Sequence, residues 1–447
     1  MTTDHESGAD APVTQRIASF ALDLRLADLS ATARENAKLL VLDTIGSALA
    51  ASTESIGRIL VDHVKDAGPG PAHILGFGTP MPPAQAAFVN GALANALDFD
   101  EGYHVATHAL PTALAAAEAA GASGADFLTA FAAGYEIASR LTELIDGDRG
   151  NPHSPTQRGF WHVGLVGPVS AAAIAARLFC LTLAETQRAI GIATCSSGGF
   201  RRNMGTMAKA LHSGQAARAG IDAALLARRG FTGDPDIIEA PLGYARAVCA
   251  PGEPKWRAIT EDLGRVFVLE RPTPIKIYPA CTPIHRALDT LLALRQELGA
   301  EPEAVEAIEA KFHRFSLFRI VPEDVDSLGF SAPFLLSAAF VRGRFGLDEI
   351  DEEVLHDARV KTLMRRVVEA RDEPERVTIR LKNGRVASRE VGKLRRLTDW
   401  DSAAEKFRSC AGRRLDRSAT EALIAAVRRL DDRASFETIV RLAAPAA

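Results

Sequence analysis

The sequence predicts a mainly α protein: a large all-helical domain with an inserted, smaller α+β lid domain. Three observations lead there. Apolar residues recur at helical spacing, on faces made largely of Ala, Gly and Ser, from residue 31 to about residue 265. A proline-dense stretch, Arg271-Pro-Thr-Pro-Ile-Lys-Ile-Tyr-Pro-Ala-Cys-Thr-Pro283, then breaks the pattern. Beyond it a strand period appears, and from Trp400 the helical period returns. These shifts divide the chain into residues 1–268, 269–398 and 399–447, the last rejoining the helical body.

The elements follow in order. Ser30 sits as an N-cap ahead of Leu39, Leu40, Leu42, Ile45 and Leu49, and a second helix covers about 53–65. Pro82 and Pro83 occupy first-turn positions of a small-residue helix ending near Leu97. A polar break from Asp98 to His108 separates it from helices at about 111–120, 125–145, 163–179, 183–193 and 206–229. After the proline-dense crossing comes a helix over 284–298. A strand-like alternation follows over 305–315, in Ile308, Ala310 and Phe312. Val377 to Ala387 reads as a hairpin with Asn383-Gly384 as a type I′ turn.

Composition narrows the function classes. With 447 residues, 47% of them hydrophobic, the chain is long enough to bury its cores without disulfides or metals. A net charge of −4 gives no bulk attraction for nucleic acid or an anionic membrane, so acidic ligands need local cations. The five cysteines lack CxxC spacing and their odd number suits no disulfide framework. Residues 1–13 hold no apolar run of the secretory kind, and the apolar stretch 163–183 is diluted by Gly, Pro, Ala and Arg177. The expectation is a cytoplasmic globular protein. Only ten of the 52 basic residues are lysine, which singles out Lys209 and Lys276 in their glycine- and proline-rich settings.

Chemistry concentrates in four clusters. They are Asp98, Asp100, Glu101, His104 and His108; Arg158-Gly-Phe-Trp-His162; Gly198 to Gly214 with Arg201, Lys209 and His212; and Lys276 to His285 with Cys281. Each has a bland reading: acidic residues suit helix starts, His162 suits a hydrogen-bonded core, and the lysines suit solvent. His104 and His108, four apart, could share a helix face as metal ligands with Asp98 and Asp100, which would make the protein a metal-dependent hydrolase. No carboxylate adjoins them as in HExxH, and GxxxxGK[ST], a post-strand GxGxxG and GxSxG are absent.

Taken together the motifs resemble the MmgE/PrpD family. They are Asn90-Gly91, Leu97-Asp-Phe-Asp100, His108, Gly159-Phe-Trp-His162, Asn203-Met-Gly-Thr-Met-Ala-Lys209-Ala-Leu-His212-Ser-Gly, Lys276-Ile-Tyr-Pro-Ala-Cys281 and Phe330-Ser-Ala-Pro-Phe334. The resemblance implies a helical domain and an α+β lid with the site in the cleft between, a homodimer, and a reaction without cofactor or metal. It puts Asp98, His108, His162, Lys209 and Lys276 on active-site positions. It puts Cys281 at a position that often contributes a polar side chain, and Arg201, His212, Arg218, His285 and Phe334 join it as candidate substrate contacts. Phe334 stands where many relatives have tyrosine, and Gly102 where a hydroxyl or acidic residue is common.

The implied substrate is a small hydroxy di- or tricarboxylate, and the implied reaction a dehydration through proton removal beside a carboxylate. Lys209 and Lys276, with Arg201 or Arg218, would stabilise the developing dianion. A histidine would move the proton, His162 ahead of His108. Epimerisation and decarboxylation are the family's other outcomes.

Overall fold

In the computed structural model, 60% of the chain is helical and 7% is strand. It describes residues 12–146, 151–311, 317, 321–370 and 374–445. The first helices are α1 (Val13–Asp23), α2 (Ala31–Ala51) and α3 (Ser55–Val64). The Ser30 hydroxyl accepts the Ala33 N–H, as its place ahead of α2 requires. A two-stranded ribbon, β1 (Ala72–His73) and β2 (Pro80–Met81), leads to α4 (Pro83–Ala96), with Pro83 opening the helix. Next come α5 (Ala106–Ala120), α6 (Gly124–Asp146), α7 (His162–Leu178), α8 (Leu183–Thr194) and α9 (Ala208–Arg228). Short helices α10 (Tyr244–Cys249) and α11 (Arg257–Thr260) precede the crossing segment.

The small-residue faces set how close these helices come. A Cβ on Gly91 of α4 would lie 2.9 Å from Gly214 Cα of α9, and one on Gly220 would lie 2.3 Å from Ala171 Cβ of α7. Near-contact of backbones at Gly91 brings the start of α9, with Lys209, against the end of α4, with Asn95. The sequence places the start of α5 at Pro111, but the helix begins five residues earlier. The Glu101 carboxylate accepts the N–H groups of Val105 (2.5 Å) and Ala106 (3.2 Å), capping the extra turn, and Pro111 is carried inside.

After the crossing, α12 (His285–Leu298) and β3 (Val305–Ala310) begin the second unit. It continues with α13 (Val325–Leu328), α14 (Ala332–Arg342), α15 (Glu352–His356), α16 (Ala358–Met364), β4 (Val367–Glu369), β5 (Arg376–Leu381) and β6 (Val386–Glu390). The sheet order is β4-β3-β5-β6, with β3 parallel to β4 and antiparallel to β5. The alternation expected to continue to Phe315 is a strand as far as Ala310, and 312–315 lie outside the described residues. The hairpin forms, yet its turn is not type I′. Gly384 has φ 85°, Asn383 is not left-handed, and the Gly384 N–H bonds Leu381 O at 2.9 Å, so the strands are joined by a four-residue loop.

The chain closes with α17 (Trp400–Ala411), α18 (Arg417–Arg428) and α19 (Arg433–Ala443). One apolar core draws on residues between Val13 and Ile275 and again between Ala403 and Ala443, while the other draws on Tyr278 to Val391. Helix α17 lies on α2, where Gly46 leaves room for the Phe407 ring. No single helix among the described residues is long and apolar enough to cross a membrane.

Candidate active site

The polar break between α4 and α5 is the centre of the site. Asp98 and His104 adopt φ 50° and 60°, and with Cys180 they are the non-glycine residues with positive φ among those described. Such conformations cost about 1 kcal/mol or more each and persist only where surrounding contacts fix them. Here the contacts are ionic. Lys209 Nζ donates to Asp98 Oδ1 at 2.5 Å and to Asn95 O at 3.0 Å. Lys276 Nζ, from the crossing segment, donates to Asp98 O at 2.8 Å and lies 3.0 Å from Asp98 Oδ2. Both lysines and Asp98 are almost fully buried.

Burial alone would push the Asp98 carboxyl up. The Lys209 and Lys276 ammonium groups overcome it and hold Asp98 well below the ordinary carboxylate range. Lys276 is raised in turn: burial opposes its charge, and Asp98 and Asp100 more than restore it. An ammonium has three N–H donors; Lys209 gives two, to Asp98 and to Asn95 at the end of α4, and Lys276 gives one to Asp98 O beside its ion pair with Oδ2, so each keeps a donor for a bound molecule.

His104 completes the cluster. Its Nδ1 bonds Asp100 Oδ2 at 2.6 Å, with the Asn95 amide 3.1 Å away, and its Nε2 lies 3.6 Å from Asp98 Oδ1. The Nδ1 proton belongs on the carboxylate side, so Nε2 keeps a lone pair. Burial lowers the His104 pKa against the pull of Asp100, keeping the ring neutral. The rings of Trp161 and His162 pack beside it, with centroids 5.5 and 6.5 Å away. His162, the first residue of α7, bonds Tyr103 O through Nε2 at 2.8 Å.

A second buried pair backs the loop. Lys406 of α17 bonds Asp43 Oδ1 of α2 at 2.6 Å, donates to Phe99 O, and sits 3.8 Å from the centre of the Phe99 ring. Burial pushes Asp43 up to about 6 despite Lys406. Glu101, its oxygens given to backbone N–H groups, is pushed up to about 7 by burial and by Asp100.

Of the residues expected at the site, Asp98, Lys209 and Lys276 touch one another, and His162 stands next to them through His104. Cys281 is buried within their field, its thiol pushed up to about 12 by burial and the Asp98 charge. Arg201 also bears on Cys281, while its Nη1 donates to Thr156 O.

Others go elsewhere. His108 is in the helical core, with Nε2 on Ser170 Oγ at 2.9 Å and its pKa lowered by burial to about 3. His104, in the left-handed turn ahead of α5, meets the carboxylates, while His108 lies inside the helix. Both His212 nitrogens are used: Nδ1 donates to Lys209 O and Nε2 accepts the Phe200 N–H, so the ring pins the Gly198–Asn203 loop to α9. Arg218 faces outward over Phe88 beside Asp222. His285 bonds Ala280 O yet stays in the field of the site, its pKa lowered to about 3 by burial and by Lys276, while Phe334 is wholly buried in the second core. Sequence reasoning weighed His104 only as a metal ligand, and missed Asp43 and Lys406 altogether. Lys406 lies between charged neighbours on an amphipathic helix, where a solvated lysine is the default.

Asp98, Asp100 and His104 offer ligand atoms within 4.8 Å of one another. They do not fit a divalent ion. Two ammonium groups already occupy Asp98, the histidine Nδ1 is committed to Asp100, and His108 is not on this face.

The MmgE/PrpD N-terminal domain model matches residues 15–257, and the C-terminal domain model matches residues 278–432. The chain belongs to the MmgE/PrpD family. Human cis-aconitate decarboxylase is 26% identical over 452 residues, covering 94% of this chain and 92% of the relative. The Aspergillus terreus cis-aconitate decarboxylase is 28% identical over 319 residues, covering 67% of this chain and 62% of the relative. The 2-methylcitrate dehydratase of Cupriavidus necator is 25% identical over 451 residues, covering 89% and 90%. In this MmgE/PrpD chain the two matched regions are separated by residues 258–277, so Lys276 reaches Asp98 from the segment between them.

Proposed function

We propose that this chain is a lyase that acts on a small di- or tricarboxylic acid at the carbon beside a carboxylate, without a metal or organic cofactor. The observation that carries this reading is the pair of buried ammonium groups on one ionised carboxylate, next to a neutral histidine with a free lone pair. Removing a proton beside a carboxylate creates a second negative charge on that group. The remaining N–H donors of Lys209 and Lys276, fixed before reaction in a water-poor site, meet that charge as it develops. His104 Nε2 takes the proton, and His162, its ring centre 6.5 Å from that of His104, passes a proton to the departing hydroxide. In the dehydration the C–H and C–O bonds break, a C=C bond forms, and water leaves.

A second reading is decarboxylation, the activity named for two relatives that match along most of the chain. There the C–C bond to a carboxylate breaks, the electron pair stays on the substrate beside the lysines, and a proton is delivered to it. Both readings place a proton transfer at a carbon near a carboxylate. Proton NMR in deuterated water with a chelator present, on 2-methylcitrate, citrate, cis-aconitate, malate and N-linked succinates, tests them. Deuterium at such a carbon with a new alkene supports dehydration, and release of carbon dioxide supports decarboxylation. Activity that appears only with a divalent metal, on esters or amides, overturns both.

A further inference from the structure

A cavity of about 530 Å³ lies behind the 101–104 loop, between α2, α6 and the segments 268–274 and 394–398. That volume is ample for a small organic acid. It is walled by Tyr103 and His162 on the site side, by Tyr135 of α6, and by Arg396. The Asp98 cluster is separate: none of Asp98, His104, Lys209 and Lys276 lines this cavity.

Arg396 is the unusual group in this wall. Its Nη1 donates to Pro274 O at 2.7 Å, and its guanidinium lies over the Tyr103 ring, 6.0 Å from the centre. No carboxylate forms an ion pair with it among the described residues, and its other N–H groups make no bond to them. The nearby Glu101 carboxylate is spent on the N–H groups of Tyr103, Val105 and Ala106. At the same wall Arg271 is already paired with Glu143 at 3.3 Å. Gly102 makes the arrangement possible, because a Cβ there would lie 2.3 Å from Arg396 Nη1. Burial disfavours this unpaired charge, as its lowered pKa reflects. A partly buried guanidinium with spare donors facing a cavity is completed by an anion, and its planar fork suits a carboxylate.

We propose that this cavity is a second carboxylate-binding site, with Arg396 as the recognition group, distinct from the Asp98 cluster and sharing the 101–104 loop with it as a wall. The ligand class is a small organic acid whose carboxylate takes the free edge of the guanidinium. The inference concerns binding and holds whatever reaction the chain performs.

Tricarballylate, which has neither hydroxyl nor alkene, is a suitable probe for calorimetric titration of the full chain. Binding is expected to weaken at least tenfold in Arg396→Gln, and the Arg396-dependent component to persist in Lys276→Met. Equal affinity in the wild type and Arg396→Gln overturns the proposal, as does loss of all binding in Lys276→Met when that variant is folded. A measurement on the unaltered protein covers the case of a misfolded variant. Phenylglyoxal labelling read by peptide mass spectrometry should show Arg396 protected several-fold by tricarballylate, with exposed Arg25 and Arg257 unprotected. Arg396 labelling that ignores the probe overturns the proposal too. Neither readout depends on turnover, so an inactive chain and an empty cavity give different results.

Discussion

Asp98 stays ionised inside the protein only because two lysines face it, and that dependence fixes what single substitutions do. Lys276→Met leaves a buried carboxylate with half its compensation. The expected outcome is a loss of about 3–5 kcal/mol in denaturant unfolding and a fall in kcat of roughly 10²–10³. The double variant Asp98→Asn, Lys276→Met should recover much of the stability and none of the activity, which separates the structural role of the pair from its chemistry. His104 gives a pH signature. Its pKa lies below the ordinary 6.5, so the base stays neutral to lower pH than a free imidazole and the acid limb of kcat/KM should be centred below 6.5. An acid limb centred above 6.5 would point away from His104. Cys281, pushed up to about 12, is a thiol at any ordinary pH. Iodoacetamide on the native protein should therefore label the exposed Cys180 and Cys195 and spare Cys281, as peptide mass spectrometry would show.

At the scale of elements, the loop between α4 and α5 is held from three sides: by α9 through Lys209, by the crossing segment through Lys276, and by α17 through Lys406. Lys406 touches none of Asp98, His104, Lys209 and Lys276 and acts through Phe99 O, so Lys406→Met should lower kcat by about tenfold and cut the melting temperature by several degrees. Glu101 caps α5 from a carboxyl raised from 4.5 to about 7. A carboxyl raised on folding contributes stability that is complete below its unfolded value and lost as pH rises through its folded value. Glu101 thus makes the protein less stable as pH climbs from 4.5 to about 7, and Glu101→Gln should flatten that part of the thermal-stability profile. Asp98 and Asp100, both lowered, act in the opposite sense: their contribution is present above 3.8 and lost as pH falls through their folded values.

Across the whole molecule, the last three helices belong to the core that the first two hundred residues build. Phe407 fills the space left by Gly46, and Lys406 neutralises Asp43. Removing residues 399–447 should therefore expose the α2 face and strand Asp43, and circular dichroism should show loss of the cooperative thermal transition. The helical period, the proline-dense break and the β5–β6 hairpin were legible because each depends on neighbours close in sequence: caps, fixed proline φ, alternating side chains. Lys209 and Lys276 were legible as rare lysines in glycine- and proline-rich settings and through the family motifs that carry them. His104 was not separable from His108, since residues four apart share a helix face, and only the early start of α5, forced by Glu101, decides which ring meets the carboxylates. By itself, then, the sequence determined the helical body, the α+β unit within it and the three charges at the centre of the site, Asp98, Lys209 and Lys276. The choice of histidine, the Asp43–Lys406 support and the unpaired Arg396 were decided by tertiary structure, because each rests on contacts between segments tens to hundreds of residues apart and on the desolvation that those contacts impose.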